Sequence, residues 1–174
     1  MAAEVAKKVK AFNPDQIVLA PLYPQFSSTT TASSFRSWDQ AALNAGLDKP
    51  TARICCYPEE SGFVSALTKS VRAGIEKAAA TGTPRVLFSA HGLPEKFVEA
   101  GDPYQNQVER TVAAVVAELG DEKLDYRICY QSRVGKLVWL GPYTDAEIIL
   151  AGSDRVPLVV VPVAFVSEHS ETLV

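Results

Sequence analysis

Of 174 residues, only two are histidine, three cysteine, two tryptophan and one methionine, so any chemistry that needs these side chains rests on few positions. Cys55, Cys56 and Cys129 cannot all pair, and none lies in a Cys-x-x-Cys spacing, which excludes a disulfide scaffold and a zinc ribbon and suits a reduced, cytoplasmic setting. No apolar run approaches the roughly 18 residues of a membrane span; the longest, from Val156 to Val166, reads as a buried strand. The first residues carry charge with no apolar stretch behind them, unlike a secretory signal. A formal net charge of −3 shows no basic excess and argues against nucleic acid as a partner. There is no Gly-x-Gly-x-x-Gly for a dinucleotide and no Gly-x-Ser-x-Gly for a hydrolase, and Gly135–Lys136 lacks the rest of a phosphate loop. His169–Ser170–Glu171 matches the His-x-Glu of zinc deaminases, but the partner Pro-Cys-x-x-Cys is missing.

What is present is a globular composition, 47% hydrophobic and 21% charged, in a chain long enough for one domain or two small lobes. Strand and helix patterns alternate along it. Helices are expected over 2–11, from the polar run 27–34 to Ala45, over 61–80 with a stripe of Phe63, Leu67, Val71, Ile75 and Ala78, from Asp102–Pro103 through Val108, Val112, Val115 and Leu119, and over 144–151. Strands are expected at 16–21, 51–56, 85–89, 125–130 and 156–161. The last is apolar on both faces, as in a parallel sheet covered on both sides. The alternation predicts a doubly wound α/β fold, and the Thr81–Gly82–Thr83–Pro84 turn is the best lobe boundary, giving units 1–81 and 82–174. Both ends read as interrupted: the chain opens inside a helix and closes where another is beginning, so a piece of a longer protein is expected.

In open α/β sheets ligands bind beyond the carboxyl ends of the strands, and both histidines fall there. His91 follows the third strand, flanked by Gly92, which permits close approach, and Pro94, which stiffens the exit. A histidine so placed equally suits donation to a nearby carbonyl that caps the turn. Glu168, His169 and Glu171 follow the last strand; such a cluster also suits a solvated helix start. Imidazole with carboxylate can ligate a divalent metal or pass protons near neutral pH. Tyr23, Trp139 and Phe165 are aromatic and suit either core or the walls of a flat apolar ligand site.

Six segments in order, Leu22–Tyr23–Pro24–Gln25–Phe26–Ser27, Ser89–Ala90–His91–Gly92–Leu93–Pro94, Gly101–Asp102–Pro103–Tyr104, Gln131–Ser132–Arg133–Val134–Gly135, Trp139–Leu140–Gly141–Pro142 and the stretch from Phe165 to Leu173, resemble ferrochelatase of the proteobacterial type. The resemblance implies two similar Rossmann-like lobes, the first incomplete here, and a lyase that inserts ferrous iron into protoporphyrin IX, the last step of haem synthesis. It implies His91 near the metal and pyrrole nitrogens, Glu171 as the facing metal ligand or proton acceptor with His169 beside it, Tyr23, Trp139 and Phe165 along the cleft, and Ser132 near a propionate. Iron is then a substrate and no cofactor is required. Ser28 stands where cluster-bearing members have cysteine, so no iron–sulfur cluster is expected, and Cys55 and Cys56 read as buried strand residues. Glu168 replaces a frequent Asp, Lys136 a Pro and Tyr130 a Trp. A homodimer and a peripheral contact with the inner membrane stay open. So do two other readings: a fragment that binds tetrapyrrole or metal without turnover, and a cobalt or nickel chelatase acting on a reduced tetrapyrrole.

Overall fold

The structure, a computed structural model, describes residues 2–166. Its elements run α1 (Ala2–Phe12), β1 (Ile17–Leu19), α2 (Thr31–Ala45), β2 (Thr51–Arg53), α3 (Ser61–Ala78, extended by a 3-10 turn at Ala79–Thr81), β3 (Arg85–His91), α4 (Glu95–Glu99), α5 (Tyr104–Leu119), β4 (Tyr126–Gln131), α6 (Thr144–Asp154) and β5 (Leu158–Pro162). All strand pairs are parallel. β1 pairs with β2, and a second sheet has the order β4-β3-β5. The α/β alternation is therefore present, with sequential parallel strands joined by helices as crossover geometry requires.

Local chemistry sets the element ends. Gly46, at φ 61°, closes α2 with a paired cap: its N–H reaches Leu43 O and that of Leu47 reaches Ala42 O, a geometry open to glycine because no Cβ opposes it. At the start of α3 the Glu60 carboxylate accepts from Phe63 N (2.8 Å), and the amides of Gly62 and Phe63 hold that carboxyl below its ordinary range. The strand predicted over 51–56 stops at Arg53, because its partner β1 ends at Leu19 and Pro21 cannot extend the ladder. Cys55 and Cys56 accordingly lie in the loop beyond, Cys55 exposed and Cys56 half-buried, not in a buried strand.

The core gathers on the second sheet. Val86, Phe88 and Ala90 of β3 meet Val108, Val112 and Val115 of α5, the stripe expected from sequence. On α3 the most buried positions are Val64, Thr68 and Val71, rotated from the expected stripe, with Leu67 and Ile75 only partly covered. The rotation follows from contact with β5: a Cβ on Gly74 would lie 2.8 Å from Val159 Cγ1, so the helix seats its small residue there. α3 thus precedes residue 82 yet packs into the core of the second sheet. β5 is an edge strand, and its Val160 is exposed, so among the described residues that strand is not covered on both faces. Arg85, buried at the start of β3, reaches Asp125 (2.8 Å) and Asp154 (2.8 Å), tying the amino end of the sheet to α6.

Candidate functional site

The carboxyl ends of β3 and β5 face the long β1–α2 loop, and a cavity of about 200 Å³ lies between them. It is lined by Tyr23, Gln25, Ser27, Thr29 and Thr30 from that loop, by His91, Gly92 and Leu93 after β3, by Tyr104 at the start of α5, and by Ala164 and Phe165 after β5. Three of the residues singled out from sequence, Tyr23, His91 and Phe165, therefore converge here from separate segments.

The loop from Pro21 to Ser28 is held by buried polar contacts. Gln25, 1% exposed, donates from Nε2 to Thr111 Oγ1 (2.9 Å) and to Val163 O (3.2 Å). A backbone carbonyl can only accept, which fixes the orientation of this amide and leaves Gln25 Oε1 with no hydrogen bond. Phe26 N donates to Gln107 Oε1 (2.8 Å). Tyr57 pins the loop from the other side, its N–H on Pro24 O (2.8 Å) and its hydroxyl on Pro21 O (2.7 Å). The strongest clamp is Asp102. Its Oδ2 accepts from Ser28 N (2.7 Å), Ser28 Oγ (2.7 Å) and Ser27 Oγ (3.0 Å), and its Oδ1 accepts from Tyr104 N (3.0 Å). Burial opposes the charge on Asp102, but the bonds from Ser28, Tyr104 and Ser27 outweigh it and hold the carboxyl below its ordinary value. One carboxylate thus holds the Tyr104 amide where α5 begins and anchors a wall of the cavity.

His91 is the last residue of β3, in register with Gln131 of β4. Tyr104 donates its hydroxyl to His91 O (2.9 Å), and burial pushes that phenol well up, so it stays protonated as a donor. Gly92 follows with its N–H on Gln131 O (2.7 Å); a Cβ there would lie 2.7 Å from the same oxygen and 3.1 Å from Trp139 Cε3. Side chains do not fit at 92, and the turn that aims His91 depends on that. The loop after β4 folds back over this turn: Leu140 N reaches Leu93 O (3.0 Å) and Glu95 N reaches Val138 O (3.0 Å). Trp139 therefore stacks behind Gly92, with Nε1 on Val134 O (3.0 Å), and is not among the residues lining the cavity. Ser132, at φ 66°, lies in a neighbouring depression with Arg133 and Tyr143, whose ring sits 3.9 Å from the guanidinium. His169 and Glu171, with Glu168, lie outside the described residues.

Gln25, Gln107, Thr111, Asp102 and Tyr104 are the site residues that sequence reasoning did not assign to the cleft. One signal was available. Tyr104, Gln107 and Thr111 share the helical spacing of the apolar stripe on α5, which marks buried polar groups that must have partners.

A parallel α/β protein with a cavity at its strand ends, apolar walls and one histidine at the rim is a small-molecule site of the kind these sheets carry. The family model for ferrochelatase matches residues 1–174. The ferrochelatase of Caulobacter vibrioides strain NA1000 is 52% identical over 171 residues, covering 98% of this chain and 48% of that protein. That of Phenylobacterium zucineum is 52% identical over 174 residues, 100% of this chain and 50% of that protein, and that of Wolbachia pipientis wMel is 47% identical over 173 residues, 99% and 55%. The chain belongs to the ferrochelatase family and spans about half the length of the curated relatives it matches.

Proposed function

We propose that the chain takes part in inserting ferrous iron into protoporphyrin IX to form haem, and that the cavity between the β1–α2 loop and His91 is where metal and macrocycle meet. The observation that carries this is the convergence of Tyr23, His91 and Phe165 on one cavity at the strand ends, within a chain of the ferrochelatase family. Insertion must bring the metal to four nitrogens and remove two pyrrole protons. An imidazole at the rim can accept one such proton. Glu171, with His169 beside it, is the proposed second acceptor and metal ligand. The macrocycle must also bend so that its lone pairs face the ion, which calls for stiff walls. The clamped Pro21–Ser28 loop and Phe165 supply them; Trp139 acts by bracing Gly92, and Ser132 with Arg133 suits a propionate at the edge. Iron is the substrate in this scheme and no resident cofactor is needed.

The cavity is smaller than the roughly 300–1,000 Å³ usual for drug-sized ligands. It admits part of a macrocycle, and this favours one second reading, tetrapyrrole binding without turnover. Among the described residues no helix is long and apolar enough to cross a membrane. The exposed Val134, Leu137 and Val138 on the loop bracing His91 support a peripheral contact with a bilayer that receives the apolar product. A cytoplasmic setting follows from the same reading. Anaerobic titration of the chain with protoporphyrin IX, with and without ferrous iron, separates the two readings. A Soret shift on binding followed by the metalloporphyrin spectrum supports insertion; a shift that never proceeds to metalation supports the second reading.

A further inference from the structure

Just beyond β2, the sulfurs of Cys55 and Cys56 face each other at 2.9 Å. Cys55 is exposed and Cys56 half-buried, whereas Cys129 is buried in β4. The pair is wired to the cavity wall. Because Gln107 Oε1 accepts from Phe26 N, its Nε2 is left to donate to Cys56 Sγ (3.7 Å). The next residue, Tyr57, holds Pro21 and Pro24 on either side of Tyr23.

We propose that Cys55 and Cys56 form a thiol–disulfide exchange site that a small-molecule disulfide oxidises to a vicinal disulfide, loosening the Tyr23 wall of the cavity. In the first step Cys56 gives up its proton and its Sγ attacks one sulfur of the small disulfide, forming a mixed disulfide and releasing one small thiolate, which takes up a proton. Cys55 then gives up its proton and attacks Cys56 Sγ, releasing the second small thiol. The pair loses two electrons and two protons, and the small disulfide gains both. The order follows from the Gln107 Nε2 donor on Cys56 Sγ (3.7 Å), which stabilises negative charge on that sulfur, whereas the hydrogen bond with Cys56 and burial push the Cys55 thiol up. A ring closed between adjacent residues is strained, and strained disulfides are the readily reduced, regulatory kind. Closing it draws the two sulfurs from 2.9 Å to bonding distance and weakens the long contact of Cys56 Sγ with Gln107 (3.7 Å), whose other end holds Phe26.

The test is to expose the chain to oxidised glutathione, quench with an alkylating reagent and weigh the peptide containing both cysteines. The site predicts a peptide lighter by two hydrogens, unalkylated at both positions, restored by dithiothreitol, with Cys129 alkylated only after denaturation. Cys55→Ser should stop at a glutathione adduct on Cys56, while Cys56→Ser should react at least tenfold more slowly. Amide exchange at Phe26 and Tyr57 should quicken at least tenfold in the oxidised chain. The proposal is overturned if both thiols remain alkylatable, if oxidation links separate chains instead, if the two serine variants react at equal rates, or if exchange at Phe26 and Tyr57 is unchanged. None of these readouts depends on metal insertion.

Discussion

Replacing Asp102 by alanine should unfold the wall of the cavity before it affects anything else. The carboxylate accepts four hydrogen bonds, two of them from the backbone amides of Ser28 and Tyr104, and the residue is only 9% exposed. The two serine hydroxyls can turn to other acceptors or to water, so they are left out of the reckoning. The two amides cannot, and hydrogen bonds to a charged partner contribute roughly 1.5–3 kcal/mol each, with incomplete additivity. A loss of about 3 kcal/mol follows. At about 2–4 °C per kcal/mol for a chain of this size, Tm should fall by about 6–12 °C. Asp102→Asn keeps the shape and one acceptor oxygen and should lose about half as much. The sign with pH is set by the lowered carboxyl. A group whose folded value lies below its unfolded one adds stability above the unfolded value and surrenders it as pH falls through the folded one. The difference between wild type and Asp102→Ala should therefore be full at pH 6–7 and shrink below about pH 4, near the ordinary carboxylate value. Thermal and urea unfolding at several pH values measure this. A cost under about 1 kcal/mol, or curves that stay parallel down to pH 2, would refute the clamp.

Gly92→Ala places a methyl 2.7 Å from Gln131 O, a backbone atom that cannot step aside, so the His91 turn must move. Calorimetry should show a loss of about 1–3 kcal/mol, as overpacking costs elsewhere, and tetrapyrrole affinity should fall with it. Arg85→Met removes a buried cation from between Asp125 and Asp154 but leaves both carboxylates with access to water. The expected cost is about 1–2 kcal/mol, well under that of stranding a buried charge, and it should diminish in high salt. Val112→Ala, in the fully buried stripe of α5, should cost about 2–3 kcal/mol in urea unfolding without altering metal insertion at permissive temperature.

Much of this architecture is visible in the sequence because it depends on local periodicity. The α5 stripe of Val108, Val112 and Val115 is a short-range signal, and the structure places it as read. What was not legible depends on partners distant in the chain. The face of α3 is set by Val159 against Gly74, and the end of β2 by the proline that stops β1. The five-residue α4 is too short to show a periodicity. The site divides the same way. His91 stands out as a strand-end residue, and Tyr23 and Phe165 join it at the cavity. Trp139 is drawn behind Gly92 by the Leu140–Leu93 pairing across 47 residues, which no local pattern encodes. Asp102 and Pro103 are readable as the start of α5, but the grip of Asp102 on Ser27 and Ser28 is a tertiary fact.

The proposed reaction brings metal and macrocycle together at His91. Anaerobic metalation of protoporphyrin IX by ferrous iron, followed by absorbance for the wild-type chain and for His91→Ala matched for folding by circular dichroism, tests it directly. Loss of a positioned proton acceptor should slow insertion by about 10²–10⁴-fold while porphyrin still binds. Insertion at an undiminished rate in a folded His91→Ala chain would contradict the account.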